Sequence, residues 1–384
     1  MRILHTSDWH LGRIFHGVHL TDDQAYVLEQ LVQLVGEARP DVVLIAGDVY
    51  DRAVPPTEAV KLLDEVLSRI LIDHQTPVVM ISGNHDSPER LAFGRRLLEG
   101  QGLHLVGQLN DHLKPIVIED AYGPVYFCPI PYAEPPLVRE RLGIANAHGH
   151  EEAMAALVKQ VSSRIPDDVR RVILTHAFVA GGTESESERP LSVGGAGTIT
   201  TSHFMPFHYA ALGHLHQPQA AGAEHIRYAG SLMKYSFAEA THWKSVTLVE
   251  MDACGKVAFE EIALSPRRDV RCVEGYLNDI LSAPPNAPGR EDYLMVTLKD
   301  TGAILDAIGK LREVYPHVLH IERPHLTAGG ELRRPAHDHR RLSESALFAS
   351  FYADVTGSPL TAAQEEAFAE KVDEMYRKDR EVPV

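Results

Sequence analysis

Arg2-Ile3-Leu4-His5-Thr6-Ser7-Asp8-Trp9-His10 is a short apolar strand that runs directly into an aspartate and a histidine two positions apart. While the chain stays extended, alternate side chains such as Asp8 and His10 can point the same way at the strand's end. The arrangement recurs downstream. Val42–Ala46 ends on Gly47-Asp48, Val78–Ser82 runs into Gly83-Asn84-His85-Asp86, and Val172–Thr175 ends on His176. Tyr209–Leu212 ends on Gly213-His214-Leu215-His216. In an open α/β sheet the carboxyl ends of strands converge on one crevice, where groups distant in sequence can meet.

Helices separate the early strands. One starts at about Thr21, where Thr21-Asp22-Asp23-Gln24 has capping-box spacing. A second covers roughly Pro56 to Ile72, and a third opens at Ser87-Pro88-Glu89 and runs to about Leu98. Further strands are expected at Leu103–Val106, Val125–Pro129, Ile226–Ala229 and Ser245–Glu250, and helices at Pro136–Leu142 and Glu151–Ser163. The β-α-β rhythm predicts an α/β fold with parallel strands first, and the later strands without helices predict a more antiparallel half. Near Ser265-Pro266 the pattern restarts, which divides the chain into a domain over 1–265 and a small α/β domain over 266–324. Residues 325–341 read as a basic linker, and 342–384 as two amphipathic helices split by Gly357-Ser358-Pro359.

Composition narrows the function classes. The 384 residues are 44% hydrophobic and 23% charged, which excludes a disordered or collagen-like chain. The longest apolar runs are strand-length, too short to cross a bilayer, and Met1 to Asp8 turns polar too early for a secretory signal. A cytoplasmic protein is expected. Three scattered cysteines argue against a disulfide framework or zinc ribbon. The net charge of −16 disfavours gripping nucleic acid through the overall field, although bound cations or local arginines reverse the sign where it matters. Arg52, Arg90, Arg267, Arg268 and Arg271 are the candidates for phosphate contact.

Asp8, His10, Asp48, Asn84, His176, His214 and His216 are more ligands than one ion needs and suit two divalent ions sharing a carboxylate. Oxygen and imidazole donors without thiolate favour Mn²⁺, Fe²⁺ or Zn²⁺. Two such ions cleave phosphoesters by polarising phosphoryl oxygens and activating water.

In order and spacing these pieces resemble the five motifs of the calcineurin-like metallophosphoesterases. Thr6-Ser7-Asp8-Trp9-His10-Leu11-Gly12 resembles the opening of the SbcD family, the nuclease subunits of bacterial SbcCD complexes. The resemblance covers most of the chain. It implies a two-sheet α/β/β/α sandwich with one metal on Asp8, His10 and His216 and another on Asn84, His176 and His214. Asp48 would bridge the two, with Mn²⁺ the expected ion. His85 matches a residue that binds no metal but contacts the scissile phosphate and protonates the leaving oxygen. The resemblance further implies 3′ to 5′ duplex exonuclease and single-strand or hairpin endonuclease activity in repair, recombination and replication, with a nucleoid association. It also implies a homodimer and a coiled-coil SbcC-type ATPase partner. Leu347, Phe348, Phe351, Phe368 and Val372 on the C-terminal helices would dock on that partner. This chain has no P-loop and is expected to bind no nucleotide. Where some relatives carry a second phosphate-facing histidine, this sequence has Val49-Tyr50-Asp51-Arg52, and Asp51 is a candidate to orient His85 instead.

Most of the 22 histidines are expected to be structural or exposed. His148-Gly149-His150 and His337-Asp338-His339 copy the His-x-His spacing but follow no strand. Trp9 is read as a packing residue, and the Glu184, Glu186, Glu188 alternation as a solvated loop. Two rival functions are a Ser/Thr-phosphatase-like or small-molecule phosphodiesterase, which Asp48-Val49-Tyr50-Asp51-Arg52 suggests, and a non-catalytic scaffold for the ATPase.

Overall fold

A computed structural model of the protein describes residues 1–384 except 110–112, 145–146, 186, 189–196, 285–287, 303, 325–343, 357 and 381–384. Two compact units follow one another, Met1–Val270 and Arg271–Val384. In the first, β1 (Arg2–Thr6) is followed by the hairpin β2 (Ile14–Phe15) and β3 (Val18–His19), then α1 (Thr21–Ala38) and β4 (Val42–Ala46). Next come α2 (Thr57–Ser68), β5 (Val78–Ile81), β6 (Leu103–Val106), β7 (Ile116–Asp120) and β8 (Gly123–Ile130). Helices α3 (Pro135–Leu142) and α4 (His150–Ser162) lead to β9 (Arg170–His176) and β10 (Tyr209–Gly213). The unit closes with β11 (Gln219–Ala221), β12 (Ala223–Tyr228), β13 (Ser245–Met251) and β14 (Val257–Ala263).

These strands form two six-stranded sheets, ordered β14-β13-β1-β4-β5-β6 and β11-β12-β10-β9-β8-β7. All five residues of β4 are buried, as expected for a strand covered on both faces. Val42, Leu44 and Ala46 turn toward the second sheet and share a core with Ile3, Val79, Phe127, Val172, Leu174 and Tyr209. On the outer face of the second sheet, α4 packs Met154, Leu157 and Val161 with Cys128, Ile173 and Leu212. The layers are therefore helix, sheet, sheet, helix, an α/β sandwich.

As expected, the later half is more antiparallel than the first: β1, β4, β5 and β6 pair only in parallel with one another, whereas β13 runs against β1 and β14, β7 against β8 and β11 against β12. The central strands β8, β9, β10 and β12 of the second sheet nonetheless pair in parallel. Helices α3 and α4 and the long β9–β10 segment supply the crossovers that parallel pairing requires. Two local expectations are corrected. Thr21 does not cap α1, whose N-cap is Leu20 with no side-chain bond. Gln24 is drawn instead toward the backbone of Trp9 and His10. The helix expected from Ser87 breaks into Pro88–Leu91 and Arg95–Leu98, because Gly94 at φ +73° turns the chain left-handed between them.

The second unit has a three-stranded sheet of β15 (Val270–Gly275), β16 (Tyr293–Leu298) and β17 (Val318–Glu322), with α5 (Ala307–Val314) before β17. Leu277, Leu294, Val296, Leu298, Leu311 and Val318 form its core. Helices α6 (Glu344–Thr356) and α7 (Ala362–Arg380) follow, with Phe348 and Phe368 stacked at 3.9 Å between ring centroids. Phe351 is exposed and Val372 half-buried, while the side chain of Leu347 falls outside the described residues. The expected linker 325–341 and the His337-Asp338-His339 triplet also lie outside them.

One core histidine predicts acid sensitivity. His5 is fully buried with Nδ1 2.9 Å from the Tyr209 hydroxyl, and burial pulls it down from 6.5 to about 3. Above pH 6.5 neither state is protonated, and no penalty arises. Below it the unfolded chain gains a proton the folded chain refuses, so stability falls until about pH 3. At about 1.4 kcal/mol per pH unit, His5→Gln should shrink the stability difference between pH 7 and pH 5 by roughly 2 kcal/mol. Urea unfolding at the two pH values measures this, and an unchanged difference would show that His5 does not set it.

Candidate metal centre

Five strands deliver their carboxyl ends to one place. Asp8 N donates to the Gly47 carbonyl at 3.1 Å and His10 N to the Asp48 carbonyl at 2.9 Å, which ties the β1 and β4 loops together. The two sheets meet at the same end, where His176 Nδ1 lies 2.9 Å from the Ala46 carbonyl. A Cβ on Gly213 would lie 1.9 Å from that carbonyl oxygen, and one on Gly83 2.1 Å from Asp48 Oδ1. Only glycine permits these approaches.

The backbone is strained at the same positions. Among the described residues, the nine non-glycine positions with positive φ include Asp8 (52°), His10 (45°), Asp48 (48°) and His214 (110°), four of the seven expected ligands. Such conformations persist only where surrounding structure over-determines them, and they cluster at functional sites. The Asp8 carboxylate accepts from Ser7 Oγ at 2.6 Å and from His214 N at 3.1 Å. Asp48 Oδ2 lies 3.7 Å from His10 Nε2, 3.5 Å from His176 Nε2 and 3.9 Å from His85 Nε2. His10 Nε2 and His216 Nε2 are 3.1 Å apart, and His176 Nε2 is 2.9 Å from Asn84 Oδ1. All seven expected ligands and His85 thus gather in this pocket. Candidate ion-holding groups within it are Asp8, His10 and His216; Asp8, Asp48 and His176; and His10, Asp51 and His85.

The donor chemistry fits divalent cations. Burial, and then the neighbouring Asp48 charge, push the Asp8 carboxyl well above its usual range. A cation between such groups would remove that penalty. Burial holds His10, His176 and His214 below the ordinary imidazole range, and neutral rings offer the lone pairs that ligation needs. His10 Nδ1 and His214 Nε2 are buried with no hydrogen-bond partner, a state costing about 1–3 kcal/mol per atom if nothing else meets them.

Comparisons with known proteins agree with this geometry. Residues 1–218 match the calcineurin-like phosphoesterase family, and residues 266–356 match the type 5 capsule protein repressor C-terminal domain. Over 364 residues the chain is 32% identical to the SbcD subunit of the SbcCD nuclease from Staphylococcus saprophyticus, spanning 95% of this chain and 96% of that one. The chain belongs to the calcineurin-like metallophosphoesterases, in the family of SbcD nuclease subunits. Among solved structures, the Thermus thermophilus protein TT1561 overlaps at a TM-score of 0.37 and 14% identity, over 68% of this chain and 98% of that one. A dimetal phosphatase from Danio rerio overlaps at 0.40 and 11% identity, over 68% and 96%. Overlaps of that extent carry no weight.

This metallophosphoesterase is therefore a metal-dependent phosphodiester hydrolase, and its pocket contains residues that motif reading passed over. Asp86 accepts from the backbone N–H groups of Val49, Tyr50 and Gly83 at 2.9–3.1 Å and so pins the Asp48 loop to the Asn84 loop. Gln24 and Tyr235 both bond the Trp9 carbonyl, while Trp9 itself is buried, with Nε1 2.9 Å from Thr6 Oγ1. Asp51 meets His85 through its carbonyl, 2.9 Å from Nδ1, and its carboxylate pairs with Arg13. The solvated-loop reading fails for Glu188, which accepts from His216 N at 2.8 Å. Asp51 is already a candidate from the sequence; for the others only pairing across the fold makes the role visible.

The arginine candidates fare unevenly. Arg52, Arg90 and Arg267 are exposed. Arg268 is paired with Asp23 at 3.1 Å and Arg271 with Asp292 at 2.6 Å, so both are already committed within the chain. Among the described residues no helix is long and apolar enough to cross a membrane.

Proposed function

We propose that this chain is a two-metal, Mn²⁺-dependent DNA nuclease, cutting duplex ends 3′ to 5′ and nicking single strands and hairpins. It would act with an SbcC-type coiled-coil ATPase in DNA end processing at the nucleoid. The observation that carries the reading is the convergence of Asp8, His10, Asp48, Asn84, His176, His214 and His216, with four of them held in left-handed backbone. In this reading Asp8, His10 and His216 hold one ion and Asn84, His176 and His214 the other, with Asp48 shared. When bound, the two ions supply charge to the phosphoryl oxygens and acidify the attacking water.

The chain's own residues do the rest. Ser7 and His214 N orient Asp8, and Asp86 orients the loop bearing Asp48. His85 faces the pocket through Nε2, because Nδ1 is engaged by the Asp51 carbonyl. A ring so held can donate a proton from Nε2 only as the imidazolium, the form suited to protonating a leaving sugar oxygen. Arg52, Arg90 and Arg267, all exposed, would reach phosphates beyond the scissile one. Residues 266–324 would cap the DNA, and 342–384, tethered by 325–341, would dock on the ATPase.

Duplex DNA, a phosphopeptide and a cyclic nucleotide offered in Mn²⁺ test the substrate class. Turnover of the phosphopeptide alone would support the phosphatase reading, and inertness with the ATPase present would support a scaffold. A homodimer belongs to the same proposal. Phe93 and Leu97 are each 83% exposed, and a second copy of the chain would cover them. The pair Phe93→Asp and Leu97→Asp should convert dimers to monomers by light scattering, and a dimer that persists would place the interface elsewhere.

A further inference from the structure

The Nδ1 atoms of the site imidazoles are held in different ways. His176 and His85 each place Nδ1 against a backbone carbonyl, at 2.9 Å from Ala46 and from Asp51. His216 Nδ1 instead lies 3.0 Å from Glu239 Oε1, with the Ser187 hydroxyl at 3.1 Å. Glu239 sits in the short turn Phe237–Glu239 between β12 and β13, beyond the residues 1–218 that match the phosphoesterase family. Its side chain is fully buried and does not stand alone. The Lys244 ammonium, also buried, approaches Glu239 Oε2 at 2.5 Å and donates to the His216 carbonyl at 2.7 Å and to Ser231 Oγ at 2.8 Å. Glu239 Oε1 also accepts from Tyr235 N at 3.2 Å.

We infer that Glu239, held in place by Lys244, is a positioning residue that fixes His216 as its Nδ1–H tautomer with the Nε2 lone pair turned into the metal site. A carboxylate can only accept, so the proton between it and the ring must sit on Nδ1. Nε2 is then left as the donor atom, on the side that faces His10 and Asp8. A carboxylate behind a ligating imidazole fixes ring orientation and raises ligand basicity, and its loss typically weakens metal binding about 10–100-fold. Lys244 grips the same carboxylate and the His216 carbonyl together, so ring and main chain of His216 are located by one ion pair. The inference rests on the two-ion reading, because His216 is one of its ligands.

The test compares two neutral double variants. Glu239→Gln with Lys244→Met keeps a carbonyl oxygen as acceptor for Nδ1–H. Glu239→Leu with Lys244→Met, at the same net charge, leaves beside Nδ1 only the Ser187 hydroxyl, which can donate as well as accept and so fixes no tautomer. In metal-free, ¹⁵N-histidine-labelled protein, His216 should be the Nδ1–H tautomer in the wild type and the Gln/Met variant, and lose that preference in the Leu/Met variant. In Mn²⁺ titration calorimetry, the Leu/Met variant should weaken one of two binding steps about 10–100-fold relative to Gln/Met and leave the other within threefold. An unchanged His216 tautomer would overturn the inference, as would equal weakening of both steps beside a lowered melting temperature, the mark of a merely structural pair. Wild-type protein that binds fewer than two Mn²⁺ would instead bring down the two-ion reading, and this inference with it.

Discussion

Asp48→Asn is expected to abolish DNA hydrolysis while leaving the metal-free protein at least as stable as the wild type. Asp48 Oδ2 lies within 4 Å of nitrogens on His10, His176 and His85 together. In the two-ion reading proposed above, its loss would remove the shared carboxylate. Charge stabilisation by metals in such sites amounts to several kcal/mol, and each 1.4 kcal/mol is a factor of ten, so activity should fall by about 10³ or more. Stability should move the other way. Asp48 contributes to raising the buried Asp8 carboxyl, and an amide of the same size relieves that repulsion. Asparagine also tolerates the φ of 48° at this position, and its Oδ1 can still accept from His85 N, as Asp48 Oδ1 does at 2.9 Å. Alanine would confound the two effects, because it suits neither the backbone nor the hydrogen bond. The checks are nuclease assay, bound Mn²⁺ by mass spectrometry, and melting temperature in EDTA. Residual activity within tenfold of wild type, or a clear drop in the EDTA melting temperature, would refute the central place given to this residue.

His85→Asn should separate binding from chemistry. His85 is a partly buried side chain whose Nδ1 is fixed by the Asp51 carbonyl, and it lies outside the proposed ligand sets. Mn²⁺ stoichiometry should therefore be unchanged, while kcat on duplex DNA falls about 10²–10⁴-fold, the usual worth of a positioned general acid. The leaving group supplies the sharper measurement. A sugar alkoxide needs a proton as it departs, whereas a p-nitrophenolate does not, so the variant should lose far less activity on a p-nitrophenyl phosphodiester than on DNA. Equal losses on both substrates would remove the acid role and leave His85 a phosphate contact.

Most candidate ligands of this site can be read from the chain because their chemistry is local. Val42-Val43-Leu44-Ile45-Ala46 announces a buried strand by composition, and Gly47-Asp48 directly after it places a carboxylate at the strand's end. The same holds for Tyr209–Gly213 and the His214–His216 pair. The partners that orient those ligands leave no such trace. Asp86 reaches back 37 residues to Val49, Glu239 reaches 23 to His216, and Gln24 serves the site rather than the helix cap its spacing suggested. Edge strands such as β14 escape sequence reading because their half-exposed alternation, Val257-Ala258-Phe259-Glu260, has no apolar run to mark it.

From its residues alone this protein is determined to be an α/β chain with aspartates, an asparagine and histidines stationed at strand ends, because side-chain period and strand composition are properties of a few neighbouring residues. Tertiary structure alone decided that the central strands of the second sheet run parallel and that Gly213 lets the sheets close on Ala46. It also decided which nitrogen of each imidazole faces the pocket. Pairing, close approach and tautomer are set by atoms that meet only after folding, and their energies depend on burial and distance, which no local pattern encodes.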